Sequence, residues 1–201
     1  FQEGGVETLE FEYDANGLPA AVRQGSGAAA RAVFYGYDDF GNPATLTDPA
    51  GAPWGFQYDA ADRIASIIRP DLSRVLLDYD PNGNLIIVTP PGLPAHSFAY
   101  TAVDQRSEYA SPLSGTSTRT RYAYDTDRRL TRVTRPDGST VSLNYGAEGR
   151  LTEVVSGDAR QTFTYDTAGR LVAAEAFDGG LIGCEYDGFV RTGMTWSGAV
   201  S

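Results

Sequence analysis

The chain repeats itself. The dipeptide Tyr-Asp stands at Tyr13-Asp14, Tyr37-Asp38, Tyr58-Asp59, Tyr79-Asp80, Tyr124-Asp125, Tyr165-Asp166 and Tyr186-Asp187, and altered copies fill the gaps at Tyr100-Thr101 and Tyr145-Gly146. Successive tyrosines are 24, 21, 21, 21, 24, 21, 20 and 21 residues apart, so nine units run from end to end of the 201 residues. A fixed short period marks an array whose units are single supersecondary elements, each burying its apolar surface only against its neighbours. Residues 1–201 are therefore read as a single repeat array.

Within each unit the chemistry alternates. Two residues before the tyrosines stand Phe11, Tyr35, Phe56, Leu77, Phe98, Tyr122, Leu143, Phe163 and Cys184. Four before them stand Leu9, Val33, Trp54, Val75, His96, Thr120, Val141, Gln161 and Ile182. The residues immediately before are polar or small, as in Glu12, Gly36, Gln57 and Asn144. A period of two with large side chains on one face predicts a half-buried strand ending at the tyrosine.

Turn chemistry follows. Gly17, Gly41, Gly83, Gly149 and Gly169 lie four residues past the tyrosine, where a turn needs positive φ. Arg63, Arg129, Arg150, Arg170 and Arg191 lie five past it. The intervening Asp is expected to accept backbone N–H bonds as an Asx-turn and to pair with that arginine. A second apolar stretch comes next, at Ile64–Ile68, Leu85–Val88, Leu130–Val133, Leu151–Val155 and Leu171–Ala174. Its apolar positions are three apart rather than two, which predicts a return strand whose alternation is broken by a bulge or an early turn residue. Proline recurs twelve past the tyrosine at Pro49, Pro70, Pro91, Pro112 and Pro136, marking a second tight turn. The expected fold is all-β: tandem antiparallel hairpins, about eighteen short strands in all, in a long sheet that must curve or spiral because open twisted sheets rarely exceed ~10 strands.

Composition narrows the chemistry. Twenty-six acidic against sixteen basic residues give a net charge of −10, with no lysine, which speaks against a nucleic-acid surface. The longest aliphatic run, Leu85–Val88, is far short of the ~20 residues of a membrane helix, so no direct membrane insertion is expected. No signal peptide is visible. One histidine, His96, and one cysteine, Cys184, exclude a disulfide framework and a multi-histidine or multi-cysteine metal site. No cofactor is expected. His96 reads as a partly buried strand residue and Cys184 as a small buried thiol.

The run Tyr165-Asp166-Thr167-Ala168-Gly169-Arg170-Leu171, with Tyr124-Asp125, Arg129-Leu130, Val133 and Pro136-Asp137-Gly138, resembles the YD repeat of Rhs proteins. Arg128 stands where that pattern has glycine, and the last unit drifts, with Gly188 early and Thr192 after Arg191. The family includes bacterial Rhs polymorphic toxins, the B and C subunits of insecticidal toxin complexes, and the shell of teneurins. The resemblance implies a strip of hairpins that forms part of a hollow shell, in the toxins around a C-terminal effector and in teneurins within an adhesion receptor. It implies a secreted or surface location, with the remaining shell repeats and an encapsulated C-terminal toxin as partners. No Rhs-associated core segment is found, since Asp48-Pro49 is only a turn of the second unit. Nine hairpins are too few to close a large cavity, so the chain is read as a fragment of a longer array.

The leading expectation is a non-enzymatic structural module that walls off what it encloses, aromatic face inward, with His96, Thr120 and Gln161 leaving that face partly polar. The rival is an adhesion module that binds carbohydrate or a protein receptor through its loops or sheet edge. Outward aromatics such as Phe40 or Tyr109 would serve it, as would the longer loops Gly25–Ala30 and Ser114–Ser117. A third reading, a carboxylate hydrolase or a self-cleaving core, finds no pair singled out among the repeated aspartates. Exposed terminal strands also make self-association an expectation.

Overall fold

The computed structural model describes residues 8–25, 30–112 and 118–198. The longer loops at 26–29 and 113–117 lie outside the described residues. Every described element is a strand, and the strands fall into two compact units that divide between Ser97 and Phe98.

The first unit holds β1 (Leu9–Tyr13), β2 (Pro19–Gln24), β3 (Arg31–Tyr37), β4 (Pro43–Thr47), β5 (Pro53–Tyr58), β6 (Ile64–Ile68), β7 (Arg74–Tyr79) and β8 (Leu85–Thr89). Strand β9 (His96–Tyr100) contains the division. The second unit continues with β10 (Arg106–Ala110), β11 (Arg119–Tyr124), β12 (Leu130–Thr134), β13 (Thr140–Tyr145), β14 (Leu151–Ser156), β15 (Ala159–Tyr165), β16 (Leu171–Glu175), β17 (Leu181–Asp187) and β18 (Val190–Ser197). In each unit a strand pairs antiparallel with the one before and the one after it in the chain. The fold is thus all-β and made of tandem hairpins, as the repeat predicts.

The return strands begin where the sequence places them, at Ile64, Leu85, Leu130, Leu151 and Leu171. Of the two expected causes of their three-residue apolar spacing, the structure shows the bulge. Tyr58 is opposite Ile64 while Gln57 is opposite Ser66, so Ala65 is an extra residue, and the same shift occurs beside Tyr13, Tyr37, Tyr79, Tyr124, Tyr145 and Tyr165. Such a bulge leaves a residue without a ladder partner. In two hairpins a threonine at that position gives its hydroxyl to the opposite strand, Thr131 to the Ala123 carbonyl and Thr152 to the Asn144 carbonyl, each at 3.1 Å.

On the tyrosine face the register places apolar partners together, among them Phe11 with Val22, Tyr35 with Leu46, Phe56 with Ile67, Leu77 with Val88 and Leu143 with Val154. These side chains are mostly half-buried rather than enclosed, and none among the described residues is fully enclosed. Each unit is one layer of sheet, and a second layer is what completes a core. Within each unit the described rings lie beside neighbours along the sheet, as Phe98 does beside Tyr109. Ala21 at 1% and Ser66 at 5% exposure are buried on the opposite face, across from Glu12 and Gln57. The sequence reading puts the large side chains on the aromatic face and small or water-tolerant ones on the other, and two small residues of that second face are buried all the same.

Candidate functional site

The chemistry-bearing residues meet once per repeat, at the joint between one hairpin and the next. Tyr37, Tyr58, Tyr79, Tyr100, Tyr124, Tyr145 and Tyr165 each close an outgoing strand and are half-buried, and Tyr186 is the last but one residue of β17. Tyr13 closes β1 and is exposed. Asp14, Asp38, Asp59, Asp80, Asp125 and Asp166 open the turn that follows.

That turn has one geometry. The Asp59 N–H donates to the Arg63 carbonyl at 2.8 Å, and the Asp62 N–H returns to the Asp59 carbonyl at 3.1 Å. Its carboxylate Oδ1 accepts the N–H groups of Ala61 at 2.8 Å and Arg63 at 3.1 Å. The same set recurs at Asp14, Asp38, Asp80, Asp125 and Asp166. The fourth residue past the tyrosine is left-handed, with φ +82° at Gly17 and +91° at Gly83, as a three-residue hairpin loop closed by a bulge requires. Asp62, Asp104 and Arg128 hold this conformation without being glycine, at φ 55°, 59° and 65°. Tyr186 differs. Asp187 pairs with Val190 across a two-residue loop, so Gly188 comes early because the last hairpin is one residue shorter.

The arginine five past the tyrosine joins two repeats. Arg63 pairs with Asp59 at 2.7 Å, donates to the Asp80 carbonyl at 3.1 Å and lies 4.6 Å from the centre of the Tyr79 ring. Arg129 pairs with Asp125 at 2.8 Å and stacks on Tyr145 at 5.1 Å. Arg170 pairs with Asp166 at 2.6 Å, stacks on Tyr186 at 4.8 Å and donates to the Gly188 carbonyl. Arg150 stacks on Tyr165 at 5.5 Å, while Gly146 stands where its carboxylate partner would be. A Cβ at Gly169 would come within 2.6 Å of Arg150 Nη1, so this glycine serves both the left-handed backbone and the close approach of the guanidinium.

Hydrogen bonds from arginine hold these carboxyls below the usual range. The Arg63 side chain is the main cause for Asp59, and the Arg129 and Arg170 backbone N–H groups are the main causes for Asp125 and Asp166.

A second link lies in the tyrosine hydroxyls. Tyr37, Tyr58, Tyr79, Tyr124, Tyr145, Tyr165 and Tyr186 donate to the carbonyls of Pro19, Pro43, Ile64, Arg106, Leu130, Leu151 and Leu171, at 2.8–2.9 Å. Where the previous hairpin's register is given, the acceptor is the residue opposite its tyrosine. The ladder between β6 and β7 ends at Ser66 opposite Leu76, and the Tyr79 hydroxyl extends the contact past it. Sequence reasoning missed this link, because its acceptor is backbone and leaves no side-chain signature. It also missed Asn42 and Asn84, which bond Asp38 Oδ2 and Asp80 Oδ2 at 3.3 and 3.0 Å from the arginine slot. Their place in that slot is a signal that could have found them. Gln105 in the same slot reaches the Arg128 carbonyl at 2.7 Å.

The remaining candidates are dispersed. His96 is half-buried opposite Val88. Cys184 is half-buried rather than buried, opposite Met194 on the last strand. Phe40 projects from its turn at 87% exposure. Tyr109 does not point outward, since it is half-buried with its ring 5.4 Å from that of Phe98. A groove of about 460 Å³ at the joint after Tyr124 holds one carboxylate, Asp125, already paired with Arg129. Among the described residues no group of three or more His, Cys, Asp and Glu side chains could hold a metal ion.

Comparison with known proteins agrees with this architecture. The teneurin YD-shell family model matches residues 2–141, and the RHS repeat model matches residues 145–180. The double-stranded DNA deaminase toxin A of Burkholderia cenocepacia is 31% identical over 151 residues, 75% of this chain and 10% of that protein. Teneurin-1 of Gallus gallus is 24% identical over 189 residues, 92% of this chain and 6% of that protein. The chain therefore spans a tenth or less of the length of these relatives. The crystal structure of TcdB2-TccC3 without its hypervariable C-terminal region superposes with a TM-score of 0.57 at 15% identity, covering 97% of this chain and 11% of that one. That last likeness is one of fold.

Proposed function

Because the chain belongs to the teneurin YD-shell family, we propose that it is a non-enzymatic wall segment: one array of hairpins that, with further repeats, encloses a C-terminal toxin or supports a surface protein. The observation that carries this reading is the recurrence of one joint. Side chains that could do chemistry are spent structurally: six aspartates hold the same turn, and in three of them the carboxylate is also paired with the arginine of that turn. A catalytic pair needs two groups in different environments, and the array supplies near-copies of one environment. Deaminase chemistry of the zinc type needs a histidine and cysteines around the metal, and His96 and Cys184 are the chain's only residues of those kinds.

The proposed mechanism is containment. Hairpins linked by ladder and tyrosine hydroxyl, and at Arg63, Arg129, Arg150 and Arg170 by guanidinium as well, form a surface with few open edges, and a segment behind it is kept from proteases. The tyrosine face is the inward one in this reading, and the setting is secreted or at the cell surface. Electron microscopy of the polypeptide that carries this segment tests it. A hollow shell with these strands in its wall is the expected result; a solid body without a lumen contradicts it.

Phe40 favours a second reading, adhesion through the turns, because an aromatic ring at 87% exposure on a loop is a ready sugar or protein contact. A glycan array with hits abolished by Phe40→Ala would support adhesion over containment.

A further inference from the structure

The turn after Tyr145 is built like those after the other tyrosines, but it lacks the group on which they close. The Gly146 N–H donates to the Arg150 carbonyl and the Gly149 N–H to the Gly146 carbonyl, each at 2.9 Å. In the other regular turns a side-chain oxygen of the opening residue accepts the N–H groups two and four residues on. That oxygen belongs to a carboxylate at Asp14, Asp38, Asp59, Asp80, Asp125 and Asp166, and to a hydroxyl at Thr101. Gly146 has none, so among the described residues the N–H groups of Glu148 and Arg150 have no acceptor. The Arg150 side chain is in the same position. Arg63, Arg129 and Arg170 each give Nε to the carboxylate of their own turn at 2.7–2.8 Å. The half-buried Arg150 guanidinium makes neither a hydrogen bond nor an ion pair among the described residues. It is nevertheless held where Arg129 is held. A Cβ at Gly169 would meet Arg150 Nη1 at 2.6 Å as one at Gly149 would meet Arg129 Nη1 at 2.9 Å, and each arginine covers the next tyrosine ring.

We propose that this turn binds a carboxylate supplied from outside it, either a free carboxylate ion or the side chain of an aspartate in another polypeptide segment. One oxygen accepts the Glu148 and Arg150 N–H groups and the other accepts Arg150 Nε, as the two oxygens of Asp125 and Asp166 do in their own turns. Backbone N–H groups that converge in a turn make a concavity for an anion. A guanidinium beside them adds a charge-assisted bond, stronger than a neutral one. The donors are fixed before the ligand arrives, because the backbone turn closes without it and Tyr165 with Gly169 keeps the guanidinium in place. A groove of about 310 Å³ lined by Gly146, Arg150 and Tyr165 gives access. Glu148 does not take the role itself. It is exposed and stands in the slot of Asp127, which meets Arg129 through Nη2 at 2.7 Å while Asp125 holds Nε at 2.8 Å. An acid in that slot therefore leaves the inner donors to a second carboxylate.

NMR of backbone N–H and arginine Nε–H groups in the whole chain tests this, with sodium formate and a blocked aspartyl peptide as probes and sodium chloride at equal ionic strength as the control. Saturable shifts are expected at the Glu148 and Arg150 N–H groups and at Arg150 Nε–H, and not at Arg129 or Arg170, whose turns carry their own carboxylate. Saturation by the peptide at lower concentration than by formate identifies a polypeptide side chain as the ligand, and the reverse order a free ion. Arg150→Gln is expected to weaken formate binding about 10-fold or more, the loss of a charged hydrogen bond. Gly146→Asp supplies the carboxylate internally. Gly146 is not left-handed, and although a Cβ there would lie 3.2 Å from Thr152 Cγ2, Asp125 and Thr131 occupy the same two slots one repeat earlier. That variant is expected to melt at a higher temperature than the unaltered chain and to lose its response to both probes. No saturable shift with either probe, shifts at Arg129 and Arg170 as large as at Arg150, or a Gly146→Asp variant that still responds would each overturn the proposal.

Discussion

Tyr13 and Tyr186 occupy the same slot in the first and last hairpins, but they are held differently. Tyr186 donates to the Leu171 carbonyl at 2.8 Å and lies under Arg170 at 4.8 Å, although its own turn is the irregular one. Tyr13 sits in a regular turn, with Asp14 Oδ1 accepting from Asn16 and Leu18, and its ring stands mostly in solvent. The joint is therefore directional. A tyrosine is fixed by the hairpin before it, and regularity of its own turn contributes little to holding the ring.

The largest expected effect sharpens this contrast. Tyr79→Ala removes a half-buried ring, its hydroxyl bond to Ile64 and the platform for Arg63, and is expected to cost about 2–3 kcal/mol in denaturant melts of dilute protein. Tyr186→Ala is expected to cost nearly as much, and Tyr13→Ala less than about 1 kcal/mol. Equal losses at Tyr13 and Tyr186 would break the directional account. Next in size is Arg129→Ala, which loses an ion pair and a ring contact that are both partly screened by water, and is expected to lower the melt midpoint by less than Tyr79→Ala does.

Acid probes the turns. The carboxyls of Asp59, Asp125 and Asp166 are held below their unfolded pKa, so their contribution is full above that value and is lost as pH falls through the lower folded one. Thermal melts are expected to drop below about pH 4, and Asp59→Asn is expected to make that drop shallower. The smallest effect has the opposite sign. Leu72 is exposed in the second turn of its repeat with φ 66°, so Leu72→Gly relieves a left-handed leucine and is expected to raise stability by about 0.5–1 kcal/mol.

Much of this was legible in the sequence, because the repeat reports the same local physics many times. The three-residue spacing at Ile64 and Ile67 pointed to a bulge or an early turn residue, of which the register shows the bulge, and Asp59 with Arg63 pointed to an Asx-turn closed by an ion pair. What lay beyond reach belonged to the backbone or to the neighbouring repeat. The Ile64 carbonyl has no letter of its own, and the arginine's second partner, the Tyr79 ring, lies sixteen residues away across the joint. The extent of burial was also hidden. Alternation gives the side of a strand but not whether a second layer covers it, and so rings expected to be enclosed are half-exposed.

Denaturant melts of Tyr186→Phe and Tyr13→Phe in dilute solution test the back-directed joint most directly, since each removes a single hydroxyl and leaves the ring in place. The expected result is a loss of about 1 kcal/mol for Tyr186→Phe and no measurable change for Tyr13→Phe. Two variants as stable as the unaltered chain, or a loss confined to Tyr13→Phe, would contradict it.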